Sequence, residues 1–145
     1  MSNPADFPIS VEQVVFLRTV VLAVPTHQPT ADALPSKFSP QNRIDIRQDE
    51  LDGKRYFVTM NCKFNEEQSP EVPYSLDIEC MGVFRVDETL EADAAKRAVA
   101  ITGHGVVFGA IREAIAWITS RHVFGPLTLG LSVLNFQPPP VETKS

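Results

Sequence analysis

From Val106 to Arg121 the chain reads VVFGAIREAIAWITSR, a helix with little polar surface. At about 100° per residue, Val106, Val107, Phe108, Ala110, Ile111, Ala114, Ile115, Trp117 and Ile118 fill an arc of about 200°, leaving the rest to Arg112, Glu113, Thr119 and Ser120. A helix that covers one face of a sheet needs roughly half that arc. The surplus predicts a second covering surface, most simply another copy of the chain. The helix is followed by HVFGPLTLGLSVLNF, an apolar run broken by Gly125, Pro126 and Gly130 and therefore not a helix itself.

Upstream, the apolar period changes to two. Val14 to Val24 is rich in β-branched residues and ends at Pro25, which predicts a strand covered on both faces for much of its length. Residues 25–40 hold four prolines and only Leu34 and Phe38 as large apolar residues, so they form a long irregular crossing segment. Arg43-Ile-Asp-Ile-Arg47 alternates, and Asp52-Gly53 suits a tight turn. In the next strand Tyr56, Val58, Met60, Cys62 and Phe64 share one face. After the polar link NEEQSPEVP, a fourth strand puts Tyr74, Leu76, Ile78, Cys80, Phe84 and Val86 on one side and Ser75, Asp77, Glu79 and Arg85 on the other. Asp87 to Ala100 predicts a shorter helix, set off by Gly103 and Gly105 from the long one. The expected fold is α+β: a four-stranded antiparallel meander packed with one long helix and a shorter preceding one. Residues 1–13 form a flexible N-terminus, 14–136 the domain and 137–145 a proline-rich flexible tail.

Composition excludes several classes. A formal charge of −5 without any basic run argues against nucleic acid. The opening MSNPADFPIS is not a secretory signal, and no run approaches the 18 or so apolar residues of a membrane span, so a cytoplasmic location without membrane insertion is expected. Cys62 and Cys80 read as core thiols. His27, His104 and His122 lie in unrelated contexts, so no metal or cofactor is expected. His122 suits the negative end of the helix dipole.

The ordered set of motifs resembles the SecB family of protein-export chaperones. Gly82-Val-Phe84 is similar to the family's Gly-Ile-Phe, and Phe108 with Arg112-Glu113 to its Leu-Phe-Pro-Tyr-Ala-Arg-Glu. Ser120-Arg121 with Phe124 and Leu127 is similar to Ser-Arg-Gly-Thr-Phe-Pro-x-Leu, and Val133-Leu-Asn-Phe136 to Pro-Val-Asn-Phe. The resemblance implies a homotetramer built as a dimer of dimers, without a catalytic centre, that holds unfolded polypeptides competent for export without ATP. It implies client contacts from Leu34, Phe38, Phe124, Leu127, Leu129, Leu131, Leu134 and Phe136. It further implies that Asp77 and Glu79 dock the translocation ATPase SecA, with Thr19 and Ala23 at the strand-one positions where the family carries acids. The family continues past Asn-Phe into a further helix and an acidic tail, where this sequence runs through Gln-Pro-Pro-Pro140 to Ser145. Two alternatives stand beside general export: a chaperone devoted to a toxin–antitoxin pair, and a hot-dog-type acyl-thioester hydrolase with Glu113 as its carboxylate.

Overall fold

A computed structural model describes residues 8–28, 40–87 and 90–130. Along them run β1 (Ile9–Ala23), β2 (Gln41–Gln48), β3 (Arg55–Phe64), β4 (Tyr74–Val86) and α1 (Ala92–Thr119). The four strands form one antiparallel sheet, and α1 lies against one face of it. The fold is α+β, as expected.

The simple meander is corrected. Strand order is β1-β4-β3-β2, so only β2, β3 and β4 follow one another across the sheet. β1 pairs with β4 along nearly its whole length, from Ile9 opposite Val86 to Ala23 opposite Tyr74. This is Greek-key connectivity. The segment between Ala23 and Gln41 therefore carries the chain from one edge of the sheet to the other, which is why it is too long for a hairpin.

The two-residue period of β3 and β4 sorts side chains as expected, with Tyr56, Val58, Met60, Tyr74, Leu76, Ile78 and Phe84 forming the buried layer under α1. Cys62 and Cys80 are buried free thiols of the same layer, and desolvation pushes each up to about 11. Cys62 stands opposite Ile78 and Cys80 opposite Met60, so the two are diagonal neighbours within the core.

β1 differs from its expectation in two respects. It begins at Ile9 rather than Val14, taking in residues assigned above to a flexible N-terminus. The register shifts between Val11 and Gln13 and again between Phe16 and Arg18. These bulges break the alternation that would have extended the strand in the sequence. Nor is β1 covered on both faces: it is an edge strand, and Val11, Phe16, Leu17, Val20 and Leu22 are exposed.

The two expected helices are one helix of 28 residues. Gly103 does not interrupt it. A Cβ at that position would lie 2.6 Å from Val58 Cγ2, so the absent side chain is what lets the helix axis approach β3. Gly105 and Gly109 face away, with nothing within 4 Å of where their Cβ atoms would be. Length and apolarity alone would let α1 cross a membrane, but 44% of its most apolar window is buried within the fold. The wide apolar arc divides: Val107, Phe108, Ile111 and Ile115 are buried on the sheet, whereas Trp117 is 62% exposed.

Candidate functional site

The apolar run after α1 folds back along the helix, and side chains of the body hold its backbone at three points. Gly125 adopts φ 79, a left-handed conformation that favours glycine, and its carbonyl accepts the Tyr74 hydroxyl at 2.6 Å. Thr119 Oγ1 donates to Ile115 O at 2.6 Å and accepts the Leu127 N–H at 2.8 Å. Arg112 Nε donates to the Leu129 carbonyl at 2.9 Å. All three reach main-chain atoms, so the path of the return segment is fixed independently of its side chains.

That path leaves part of the expected client-contact set with little surface in the single chain. Leu127 and Leu129 are 5% and 4% exposed and belong to the core cluster, leaving almost no surface to offer a second molecule. Phe124 is half-buried at the rim beside Val123, which is 79% exposed. Leu34, Phe38, Leu131, Leu134 and Phe136 lie outside the described residues.

Phe124 sits in an aromatic cluster where four parts of the chain meet. Its ring is edge-to-face with His27 at 5.0 Å and with Tyr74 at 6.1 Å, and Tyr74 meets His122 at 5.9 Å. His122 Nδ1 donates to Ile118 O at 2.8 Å, closing the last helical turn as its position suggested. His27 Nδ1 donates to the Pro70 carbonyl at 2.8 Å. Asn65 builds the loop that presents Pro70: its amide donates to the carbonyls of Ser69 and Tyr74 and accepts the Ser69 N–H at 2.8 Å.

Asp77 and Glu79 lie on the sheet face away from α1, in register with Lys63 and Asn61 of β3. Asp77 Oδ2 receives Arg18 Nη1 at 3.2 Å and its Oδ1 receives the Asn61 amide at 3.0 Å. Thr19 and Ala23 are not on this face. The second bulge turns them toward the α1 side, where Thr19 stands opposite Ile78 and Ala23 opposite Tyr74, and it leaves Arg18 and Val20 beside the two acids. Toward the other end, Glu12 at the first bulge accepts Arg85 Nε at 2.7 Å, while Arg85 Nη2 reaches Asp52 at 2.9 Å. Basic side chains from every strand are thus interleaved with the acids of this face.

A further apolar surface escaped the sequence reading. Phe16 and Thr19 of β1 and Ala110, Glu113, Ala114, Trp117 and Ile118 of α1 line an open groove of about 440 Å³. Trp117 forms one wall, with the Arg121 guanidinium 4.9 Å from its ring centroid. The excess apolar arc of the helix was the signal for it; the facing wall depended on knowing that β1 is an edge. Glu113, the rival catalytic carboxylate, is an exposed residue of this apolar lining. Among the described residues no three His, Cys, Asp or Glu side chains gather closely enough to hold a metal. Such surfaces can do one thing well: bury apolar groups of another chain without directional demands.

Comparison with known proteins agrees with this architecture. The model of the SecB family, preprotein translocase subunit SecB, matches residues 6–138. Protein-export protein SecB from Anaplasma marginale, strains Florida and St. Maries, is 32% identical over 82 residues, or 57% of this chain and 46% of each relative. The chain thus spans about half the length of the curated relatives it matches. Among solved structures, the Mycobacterium tuberculosis SecB-like chaperone Rv1957, in complex with a ChAD peptide from the HigA1 antitoxin, superposes with a TM-score of 0.65 at 19% identity, covering 89% of this chain and 94% of that one. With a family match across nearly its entire length, on the helix and strands whose packing is described above, the chain belongs to the SecB family.

Proposed function

We propose that the protein is an ATP-independent chaperone that binds unfolded or nascent polypeptides and keeps them translocation-competent for export. The observation that carries this reading is the apolar surface left open on both faces of β1 and along α1: Val11, Phe16, Leu17, Val20, Leu22 and Trp117 are all exposed in the single chain. Each apolar side chain of a client buried there contributes about 25 cal/mol per Å² whatever its sequence, which gives breadth rather than selectivity. Family membership supports the same activity.

Part of that surface serves assembly. Ile101, Gly105, Gly109, Glu113 and Trp117 follow a four-residue spacing along the exposed side of α1, and the two glycines let a neighbouring backbone approach closely. We take the Ile101–Gly109 part of this stripe and the main-chain edge of β1 as contacts within a homotetramer, a dimer of dimers, working in the cytoplasm, leaving the side chains of β1 and Trp117 to the client. Phe124 remains a client contact at the rim, and Asp77 with Glu79 a candidate docking point for SecA.

The test is suppression of aggregation of a chemically unfolded protein, without nucleotide, at stoichiometric chaperone. The expected result is protection with no turnover of an acyl-CoA panel. Absence of protection removes the chaperone reading, and turnover lost in Glu113→Gln would restore the hydrolase.

A second reading, a chaperone dedicated to the antitoxin of a toxin–antitoxin pair, is favoured by the Arg18 and Asn61 contacts that occupy the Asp77 carboxylate. Co-purification from the host discriminates: many clients together with SecA indicate export, one small client a dedicated role.

A further inference from the structure

The half-buried ring of Phe124 is held from two sides. Tyr74, fully buried, meets it from the body of the sheet and fixes the adjacent backbone through Gly125. His27 meets it from the other side at 5.0 Å with the planes 84° apart. His27 is in turn restrained by the Pro70 carbonyl, which can only accept, so Nδ1 carries the proton and the ring plane is set by a loop that Asn65 organises. His27 lies just beyond the end of β1 and is itself partly buried.

We propose that His27 is a positioning residue for client binding: it clamps Phe124 edge-on, so that the part of the ring that reaches the surface is presented in one fixed orientation to an apolar side chain of the client. The inference rests on the chaperone reading and adds a determinant to it. An aromatic anchor already immobilised loses little rotamer freedom when it meets its partner, so the gain appears chiefly as slower release. Phe124 without its clamp still offers apolar area, but must be ordered at the moment of binding.

Two substitutions at position 27 separate the ring from the hydrogen bond. His27→Asn keeps an amide donor within reach of Pro70 O and removes the aromatic edge; His27→Phe keeps the edge and removes the donor. With a fluorescent, permanently unfolded polypeptide as probe, His27→Asn is expected to raise the dissociation constant about 3- to 10-fold, the size of one edge-to-face pair, mainly through the off-rate. His27→Phe is expected to restore most of the affinity. Melting temperature and assembly mass are expected to stay at wild-type values in both. Wild-type affinity in His27→Asn overturns the inference, as does a His27→Phe protein no better than His27→Asn. A fall in affinity that only follows a fall in melting temperature overturns it as well, because a purely structural role predicts that pattern. Failure of the wild-type protein to bind the probe removes the chaperone reading itself, and the inference with it.

Discussion

Gly103 and Val58 meet with no room for a β-carbon between them: an added Cβ would lie 2.6 Å from Val58 Cγ2 and 3.2 Å from Val58 Cβ. Val58 is fully buried in a central strand and is branched at that very carbon, so it cannot withdraw. Gly103→Ala is therefore expected to destabilise the fold by about 1–3 kcal/mol, the usual cost of overpacking, although alanine is the better helix former. Urea unfolding followed by circular dichroism measures it. A neutral or stabilising effect would mean that helix and sheet are not in this contact.

Gly105 and Gly109, two and six residues further on, give the opposite expectation. Their Cβ atoms would meet nothing within 4 Å, so alanine there is expected to stabilise the isolated chain by about 0.5–1 kcal/mol. Leucine at both positions keeps the helix and fills the space that a neighbouring chain would need. Light scattering of Gly105→Leu/Gly109→Leu is expected to show a smaller particle than wild type, with helicity retained. An unchanged mass removes this side of α1 from the assembly.

Tyr74 and Gly125 join β4 to the return segment through a 2.6 Å hydrogen bond. Tyr74→Phe preserves the ring contacts with Phe124 and His122 but leaves the Gly125 carbonyl without this donor, a loss of about 1–3 kcal/mol where the acceptor stays out of water. Limited trypsin digestion adds a local readout. Cleavage after exposed Arg121 is expected to accelerate in the variant more than cleavage at Lys63, since the turn loosens before the sheet does. Equal acceleration at both sites would assign the bond to global stability instead.

The strands β3 and β4 could be read from sequence because their alternation is unbroken and one face is fully buried, so local pattern and tertiary environment agree. The helix was legible for the same reason, except at Gly103, where a residue that weakens isolated helices is present for close approach to Val58. β1 was misjudged because Glu12 and Leu17 occupy bulges, and a two-residue period counted through a bulge assigns the wrong face. Strand order is a long-range property and left no local trace. Leu127 and Leu129 have the same apolar character whether they line a groove or fill the core. Only the anchors at Thr119 and Arg112, two polar residues in the most apolar part of α1, decide between those fates. His27 is a lone histidine in a proline-rich stretch, and its role depends on a contact with a residue almost a hundred positions away.

His104 ties stability to pH. It lies midway along α1, 7% exposed, stacked on Phe108 with ring centroids 5.9 Å apart, and burial holds its pKa below the ordinary 6.5. Above pH 6.5 both folded and unfolded chains carry it neutral and stability is full. As pH falls below 6.5 the unfolded chain takes up the proton first, so stability declines until the folded histidine also titrates. Asp52 acts in a separate, lower window: the Lys54 amide and the Arg85 guanidinium hold its carboxyl below 3.8, so its contribution is intact above that value and is lost as pH falls through the lower folded pKa. Urea midpoints taken from pH 7.5 to pH 3 are expected to show both declines. His104→Gln should flatten the upper one and leave the lower, and Asp52→Asn should do the reverse. A wild-type midpoint that does not move between pH 7.5 and pH 5 would show that the imidazole is as well solvated in the folded chain as in the unfolded one, contrary to its burial.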